Sequence, residues 1–484
     1  MIVVRPIPAR GRLLDPTLPA FWLAAGLIAV GGWQIGGLIH RAISAYPLPA
    51  LVALGLFALY AVPFIAAVRT LDFLEEEPPV LLGVGFVWGG VVATSQAISA
   101  NTAVRNILAN LVSPTFADTW SPAISAPVVE EILKASGVLV IVLLAGVQIN
   151  STLDGFVYGA LVGLGFQVVE DFVYAVHAVS EADRAGSADG VTPVITTFLT
   201  RGLLGGLWSH TMFTALAGAG IGYAMTHSER RWGRRIAVAA LAFVGAWAFH
   251  FVWNTPLLLD GFGFGVGGVL AVVVLKGLPG LLVVLLLMRA ALQHEAAYYA
   301  DLLYRVRDLS LITPDEVLVL VKGRNRLAAR RYARSRYGRR AAAAVSRLQR
   351  CQARYAVELS RHLDGGVDEI PEAPAARRTA ALKRREYEVR DARRRLRALG
   401  LSQVAVPTPA PHTLVGVLSV LFGLVGVIVP VGLLVGFGLA GVGLYRARQR
   451  RIVPDSWLHD GLMISAIATV LWLLSAVIFD AGGR

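Results

Sequence analysis

The sequence has a single cysteine, Cys351, among 484 residues. Intrachain disulfides are thereby excluded, as are zinc sites built on several thiolates. Charge is scarce as well. Only 16% of residues are charged against 56% hydrophobic, and the mean hydropathy is +0.62. Many apolar runs reach the roughly 20 residues needed to cross a bilayer. The fold class that follows is all-α, a polytopic bundle with about eight spans in a core and two or three more near the C-terminus. Acidic residues are the rarer sign, 32 against 45 basic, for a net charge of +13. Between Ala290 and Gly400 there are 25 basic and 13 acidic side chains, so one segment carries nearly all of the excess.

The apolar runs place core spans at Ala20–Ile39, Pro49–Val68, Val80–Ser99, Ser125–Val147, Leu153–Val179, Phe198–Thr226, Ile236–Leu258 and Phe262–Met288. Arg69–Pro79 reads as an acidic interfacial connector and Ala100–Ile124 as a loop rich in Asn, Pro, Asp and Trp. Three domains result: a membrane core over 1–289, a basic helical segment with a Pro-rich linker over 290–412, and a glycine-rich membrane module over 413–484. In the last, Leu414–Leu444 is too long for one span and has Pro430 near its middle, which suggests a hairpin, followed by a span at Trp457–Phe479.

Basic loops set the orientation. Arg5, Arg10 and Arg12 place the N-terminus in the cytoplasm, ahead of a first span that is retained rather than cleaved. Arg230, Arg231, Arg234 and Arg235, and the segment after Met288, then fall on the same side. The basic segment is expected to lie against anionic lipid headgroups. Tyr332, Tyr337 and Tyr355 among its arginines would also suit nucleic acid, the weaker reading of that composition.

Ionisable groups within spans are costly and mark functional interiors. Glu130, Glu131 and Lys134 lie in span four, Glu170 and Asp171 in span five, His210 in span six, and His250 and Asn254 in span seven. Glu130 and Lys134 are four apart and share a helix face. At 1.5 Å of rise per residue, these groups lie roughly 6–18 Å below the outer ends of their spans. Four separate helices thus carry their polar groups in the outer half of the membrane. Arg201 reads as a counter-ion to Glu170 or Asp171, or as a snorkelling residue. Lys276, in span eight, has no evident partner.

Such a set suits water activation. A carboxylate can act as general base, with Glu130 first in line because Lys134 shares its face, and Glu131 as the alternative. His210 can orient the water or protonate a leaving amine, and His250 with Asn254 can donate to an oxyanion. Lys134, Glu170 and Tyr174 are supporting residues. Zinc is the rival use of the same atoms. Blander readings are an ion pair for Glu130–Lys134, a helix–helix hydrogen bond for Glu170 with Tyr174, and helix capping for Asn254 ahead of Thr255-Pro256. Midplane charges also line ion paths, so a proton-coupled transporter and a non-enzymatic scaffold stand as other classes.

In order along the chain, Glu130-Glu131-Ile-Leu-Lys134 (EExxK), Glu170 to Tyr174 (ExxxY), Ser209-His210 and His250 to Asn254 (HxxxN) resemble the PrsW-type intramembrane protease family, related to the CAAX-prenyl endopeptidase and bacteriocin-processing superfamily. The resemblance covers roughly Trp33–Arg289, with Asp171 standing where Asn is expected. It implies a glutamate-dependent, metal-independent intramembrane peptidase with no cofactor, zinc being the alternative. It further implies a membrane-anchored protein substrate cut near the outer face, an anti-sigma factor in the namesake branch.

Overall fold

The computed structural model describes residues 14–71, 73–187, 189–258, 261–263, 265–364, 372–401, 404, 414–428, 431–449, 457–466 and 468–469. Among these the fold is all-α, with sixteen α-helices. Among the described residues, seven helices are long and apolar enough to cross a membrane by length and composition. The protein is a polytopic helical membrane protein. It forms two compact units, Met1–Gly263 with Gly268–Glu295, and Ala296–Arg484 with Phe264–Gly267.

In the first unit α1 (Pro19–Ala45) and α2 (Pro47–Leu71) are apolar and unbroken. Next, α3 (Pro79–Val87) runs through a π turn, Trp88–Ala93, into α4 (Thr94–Leu111). The expected loop over Ala100–Ile124 is therefore mostly helical. Pro114 does not break a helix but starts one: α5 (Pro114–Ala145) has this proline in its first turn, behind a Ser113 cap that accepts from the Phe116 N–H. Proline suits that position because its missing N–H would be unpaired there anyway. The 32 residues of α5 include Asp118, Glu130, Glu131 and Lys134, too much charge for it to count among the apolar spans.

The long α6 (Thr152–Arg184) is the most enclosed of the membrane-length helices. Span six is discontinuous. It consists of α7 (Val191–Thr197), a π turn (Phe198–Leu204), a 3₁₀ turn (Gly206–Trp208) and α8 (His210–Thr226). His210 is thus the first residue of a 17-residue helix, not a mid-helix residue. Irregular backbone at membrane depth persists only where protein or a wet cavity satisfies it. Two further helices, α9 (Trp232–Asn254) and α10 (Gly265–Tyr304), follow.

Glycines bring α6 and α8 together. A Cβ at Gly155 would strike the Gly218 carbonyl, one at Gly159 the Thr214 carbonyl, and one at Gly163 the His210 carbonyl. Small residues at four-residue spacing let membrane helices approach backbone to backbone. The acidic connector is not a solvated strip. Glu77 accepts from the Tyr158 hydroxyl, Glu75 Oε1 accepts from Asn150 Nδ2 at 3.1 Å, and both glutamates are buried. Asp154 completes this join with a capping box on Ser151 at the start of α6.

In the second unit α11 (Pro314–Leu320), α12 (Gly323–Tyr337), α13 (Arg339–Asp364) and α14 (Glu372–Arg397) carry the basic segment. Buried Arg393 of α14 clips to α11, bonding Glu316 at 2.5 and 2.9 Å. On α12, Ala329 and Ala333 are buried, while Arg324, Leu327, Arg331 and Arg334 are exposed. These four recur at i, i+3, i+7 and i+10, a single stripe opposite the alanines. The expected hairpin is present as α15 (Leu414–Ile428) and α16 (Val431–Gln449). Arg5, Arg10, Arg12, Pro430 and, of the expected last span, residues 467 and 470–479 lie outside the described residues.

Gly163→Ala is expected to lower thermal stability in detergent by about 1–3 kcal/mol through overpacking. Gly83→Ala, where an added Cβ meets nothing within 4 Å, serves as control, since both substitutions share the same gain in helix propensity.

Candidate active site

Five elements converge on one polar cluster. One turn of α5 supplies Glu130, Glu131 and Lys134, all at most 2% exposed. The spacing i, i+1, i+4 puts both carboxylates within reach of one ammonium: Lys134 Nζ lies 2.6 Å from Glu131 Oε1 and 3.6 Å from Glu130 Oε2. From the last turn of α9, His250 places Nδ1 2.8 Å from Glu131 Oε1 and Nε2 3.9 Å from Glu130 Oε2. From the start of α8, His210 places Nδ1 2.9 Å from Lys134 Nζ and 3.7 Å from Glu130 Oε2. Its Nε2 lies 2.9 Å from Glu170 Oε2 on α6. Finally α4 contributes Asn101, whose Nδ2 donates to Glu130 Oε1 at 3.0 Å and whose Oδ1 accepts from Ser125 at 2.8 Å.

The rings are held by packing. The His250 ring stacks on Phe213 and meets the His210 ring edge-on, each at 5.0 Å between centroids. Phe166 lies 4.9 Å from His210 and 4.5 Å beneath the Lys134 ammonium. Arg201, in the π turn, bonds Glu170 at 2.8 Å and Asp171 at 2.9 Å, and covers the Tyr174 ring at 3.6 Å. It is a counter-ion to both acids, as the sequence allows.

A cavity of about 330 Å³ opens on one side of the cluster. Glu130, Glu170, His210, Arg201, Tyr174 and Asn254 are on its wall, whereas Glu131, Lys134 and His250 lie behind. The structure therefore joins six of the expected residues directly: Glu130, Glu131, Lys134, Glu170, His210 and His250. Asn254 and Tyr174 share the cavity without touching these carboxylates or imidazoles through any hydrogen bond in the structure. The Asn254 amide instead donates to the Pro122 carbonyl at 2.9 Å, tying α9 to α5. Lys276 gains a partner too, since its Nζ donates to the Thr255 carbonyl at 2.7 Å, just beyond the end of α9. Asn101 was hidden because its surroundings read as a loop. The continuing helical phase from Ser95 to Leu111 was the available signal.

The cluster has the form of a metal centre. One nitrogen of each histidine faces a carboxylate, which fixes the imidazole so that the other nitrogen presents its lone pair. Those nitrogens, His210 Nδ1 and His250 Nε2, both face Glu130 Oε2. Ligand atoms of the three residues all lie within 4.8 Å of one another. Glu130 Oε2 is buried and accepts no hydrogen bond. Two imidazoles and a carboxylate form a known zinc set, and carboxylates behind the histidines are its usual second layer. The residues fit such an ion.

Residues 77–278 match the family model described as PrsW family intramembrane metalloprotease. No curated protein and no solved structure gives a significant match. The family's description as a metalloprotease, with the buried Glu130–His210–His250 group, corrects the expectation of a metal-independent enzyme without a cofactor. The physical reason is convergence. Sequence spacing shows which residue types are present, but not that three lone pairs point at one place.

Zinc titration of purified protein against a chromogenic chelator is expected to give about one site per chain, lost in Glu130→Ala, His210→Ala and His250→Ala. Glu131→Gln and Glu170→Gln should weaken binding by about 10–100-fold, the usual cost of removing a second-layer partner. Asn254→Ala should leave affinity unchanged.

Proposed function

We propose, for a chain whose residues 77–278 are a PrsW-family intramembrane metalloprotease domain, that this site hydrolyses a peptide bond of a membrane-anchored protein near the outer membrane boundary. The convergence of Glu130, His210 and His250 beside a polar cavity, with Glu130 and His210 on its wall and His250 just behind, is the observation that carries this reading. These three residues would hold the metal, which when bound polarises a carbonyl and makes water a competent nucleophile near neutral pH.

The remaining roles belong to the chain itself. Glu131 and Glu170 hold His250 and His210 in orientation. Glu170 is 15% exposed on the cavity wall, so it can take the proton of the attacking water and return it to the leaving amine. This reading moves the general base from Glu130 to Glu170. Water oxygen adds to the carbonyl carbon, the C–N bond breaks, and the products are a carboxylate and an amine. Arg201 offsets the charge of Glu170 and Asp171. Asn254 spends one N–H on Pro122, and its second is available to the substrate carbonyl oxygen. The broken helix ahead of His210 and the polar cavity admit the water that hydrolysis needs.

Orientation rests on the arginines. Arg230, Arg231, Arg234 and Arg235 are at the start of α9, while His250 is near its other end, roughly 25 Å along the axis. With basic residues inside, the site lies toward the outer face, and an anti-sigma factor is a substrate of suitable kind. The α12 stripe Arg324–Leu327–Arg331–Arg334 supports contact with anionic headgroups. Each such arginine near a charged surface contributes about 1 kcal/mol, and Leu327 can enter the interface beneath them.

Membrane-protein N-termini compared among cells making the intact chain, Glu170→Gln or His210→Ala should show a new N-terminus near an outer membrane boundary only with the intact chain. Equal N-terminomes at adequate coverage would remove the protease reading. For the lipid contact, an environment-sensitive dye at Leu327→Cys in a Cys351→Ser background should shift to the blue in nanodiscs with 30% anionic lipid. High salt, or charge reversal of Arg324, Arg331 and Arg334, should abolish the shift.

A further inference from the structure

Lys134 has no part in the chemistry above, yet it is fully enclosed at the centre of the cluster. Its ammonium has three N–H groups. One contacts Glu131 Oε1 at 2.6 Å, one His210 Nδ1 at 2.9 Å, and the third side of the nitrogen faces Glu130 Oε2 at 3.6 Å. Phe166 closes the remaining approach, its ring centre 4.5 Å away. The ammonium therefore touches two of the three metal-ligating residues and the carboxylate that holds the third.

His210 Nδ1 has a single in-plane lone pair. It cannot serve an N–H of Lys134 and a metal ion at once. Two cations so close in a medium of low dielectric would also repel strongly. Conversely, with neither cation present, Glu130 and Glu131 would be adjacent buried carboxylates with no compensating charge of their own, since Arg201 is spent on Glu170 and Asp171. An uncompensated buried charge is strongly destabilising.

We infer that Lys134 is a built-in stand-in for the metal: its ammonium balances the ligand set in the metal-free chain and releases His210 Nδ1, keeping Glu131, when the ion enters. This rests on the metal reading of the site. Lys134 is a positioning residue with two opposed effects. It lets the metal-free chain fold with its carboxylates compensated, and it holds metal affinity below what the same ligands would otherwise reach.

The test uses full-length protein in detergent, stripped of metal and titrated with zinc against a chelator, with melting temperatures recorded with and without zinc. For Lys134→Met the dissociation constant is expected to fall at least ten-fold. The metal-free variant should melt well below the metal-free wild type, and zinc should close that gap. Lys134→Arg, which keeps the charge, should stay near the wild type in metal-free melting temperature. Should Lys134→Met fail to fold, Lys134→Gln takes its place, because its amide can still bond Glu131 without carrying charge. A wild type that binds zinc and a neutral variant that binds it no more tightly would overturn the inference. A wild type that binds no zinc would overturn the metal reading instead, and the inference with it.

Discussion

Two buried carboxylates, Glu130 and Glu131, lie beside a third, Glu170, that is partly exposed on the cavity wall, and the groups around them answer that constraint. Lys134 faces two of them and Arg201 faces the third. Asn101, His210 and His250 supply hydrogen bonds or ion-pair contacts to the same carboxylates. No pair in this set is self-sufficient. Removing one partner leaves a charge without compensation where water cannot readily provide it, which costs far more than the net worth of any single pair. The cluster is best regarded as one object with five helical contributors, α4, α5, α6, α8 and α9.

Holding five helices to such tolerances is a packing problem, and small residues solve it. Gly155, Gly159 and Gly163 let α8 lie against α6 with carbonyl oxygens where side chains would normally stand. Gly163 abuts His210 itself, so the contact that joins the helices also sets the depth of the imidazole. Gly89 gives the π turn after α3 the same closeness to α6, and Gly165 of α6 does so for the end of α3 at Phe86. Because α6 is approached this tightly by neighbours, Glu170 is presented from a rigid element, which is what a precise site requires.

Much of this was legible in the sequence, for identifiable reasons. Ionised residues in apolar runs announce themselves by their cost, and the i, i+4 relation of Glu130 to Lys134 and of His250 to Asn254 follows from helical geometry alone. The hairpin of α15 and α16 followed from run length. What escaped was tertiary or directional. The Asn-, Pro- and Asp-containing stretch after Ser99 looked like a loop because its prolines could equally end or begin a helix. The break before His210 was marked only by Gly202, Gly205 and Gly206, a weak signal among fifty glycines. Whether two histidines and a glutamate serve water directly or through a metal depends on where three lone pairs aim. No linear spacing encodes that.

The π turn carrying Arg201 has a consequence for how this segment can vary. A helix with an inserted residue holds one more position per turn than its neighbours, and here the extra position is what brings the guanidinium round to Glu170 and Asp171. Deleting any one residue between Phe198 and Leu204 would rotate the following chain by about 100° relative to what precedes it, swinging Arg201 or His210 out of phase. Replacing one of those residues would not. The quantity fixed in this stretch is its length, so homologous chains sharing this site should differ here by substitution and not by insertion or deletion.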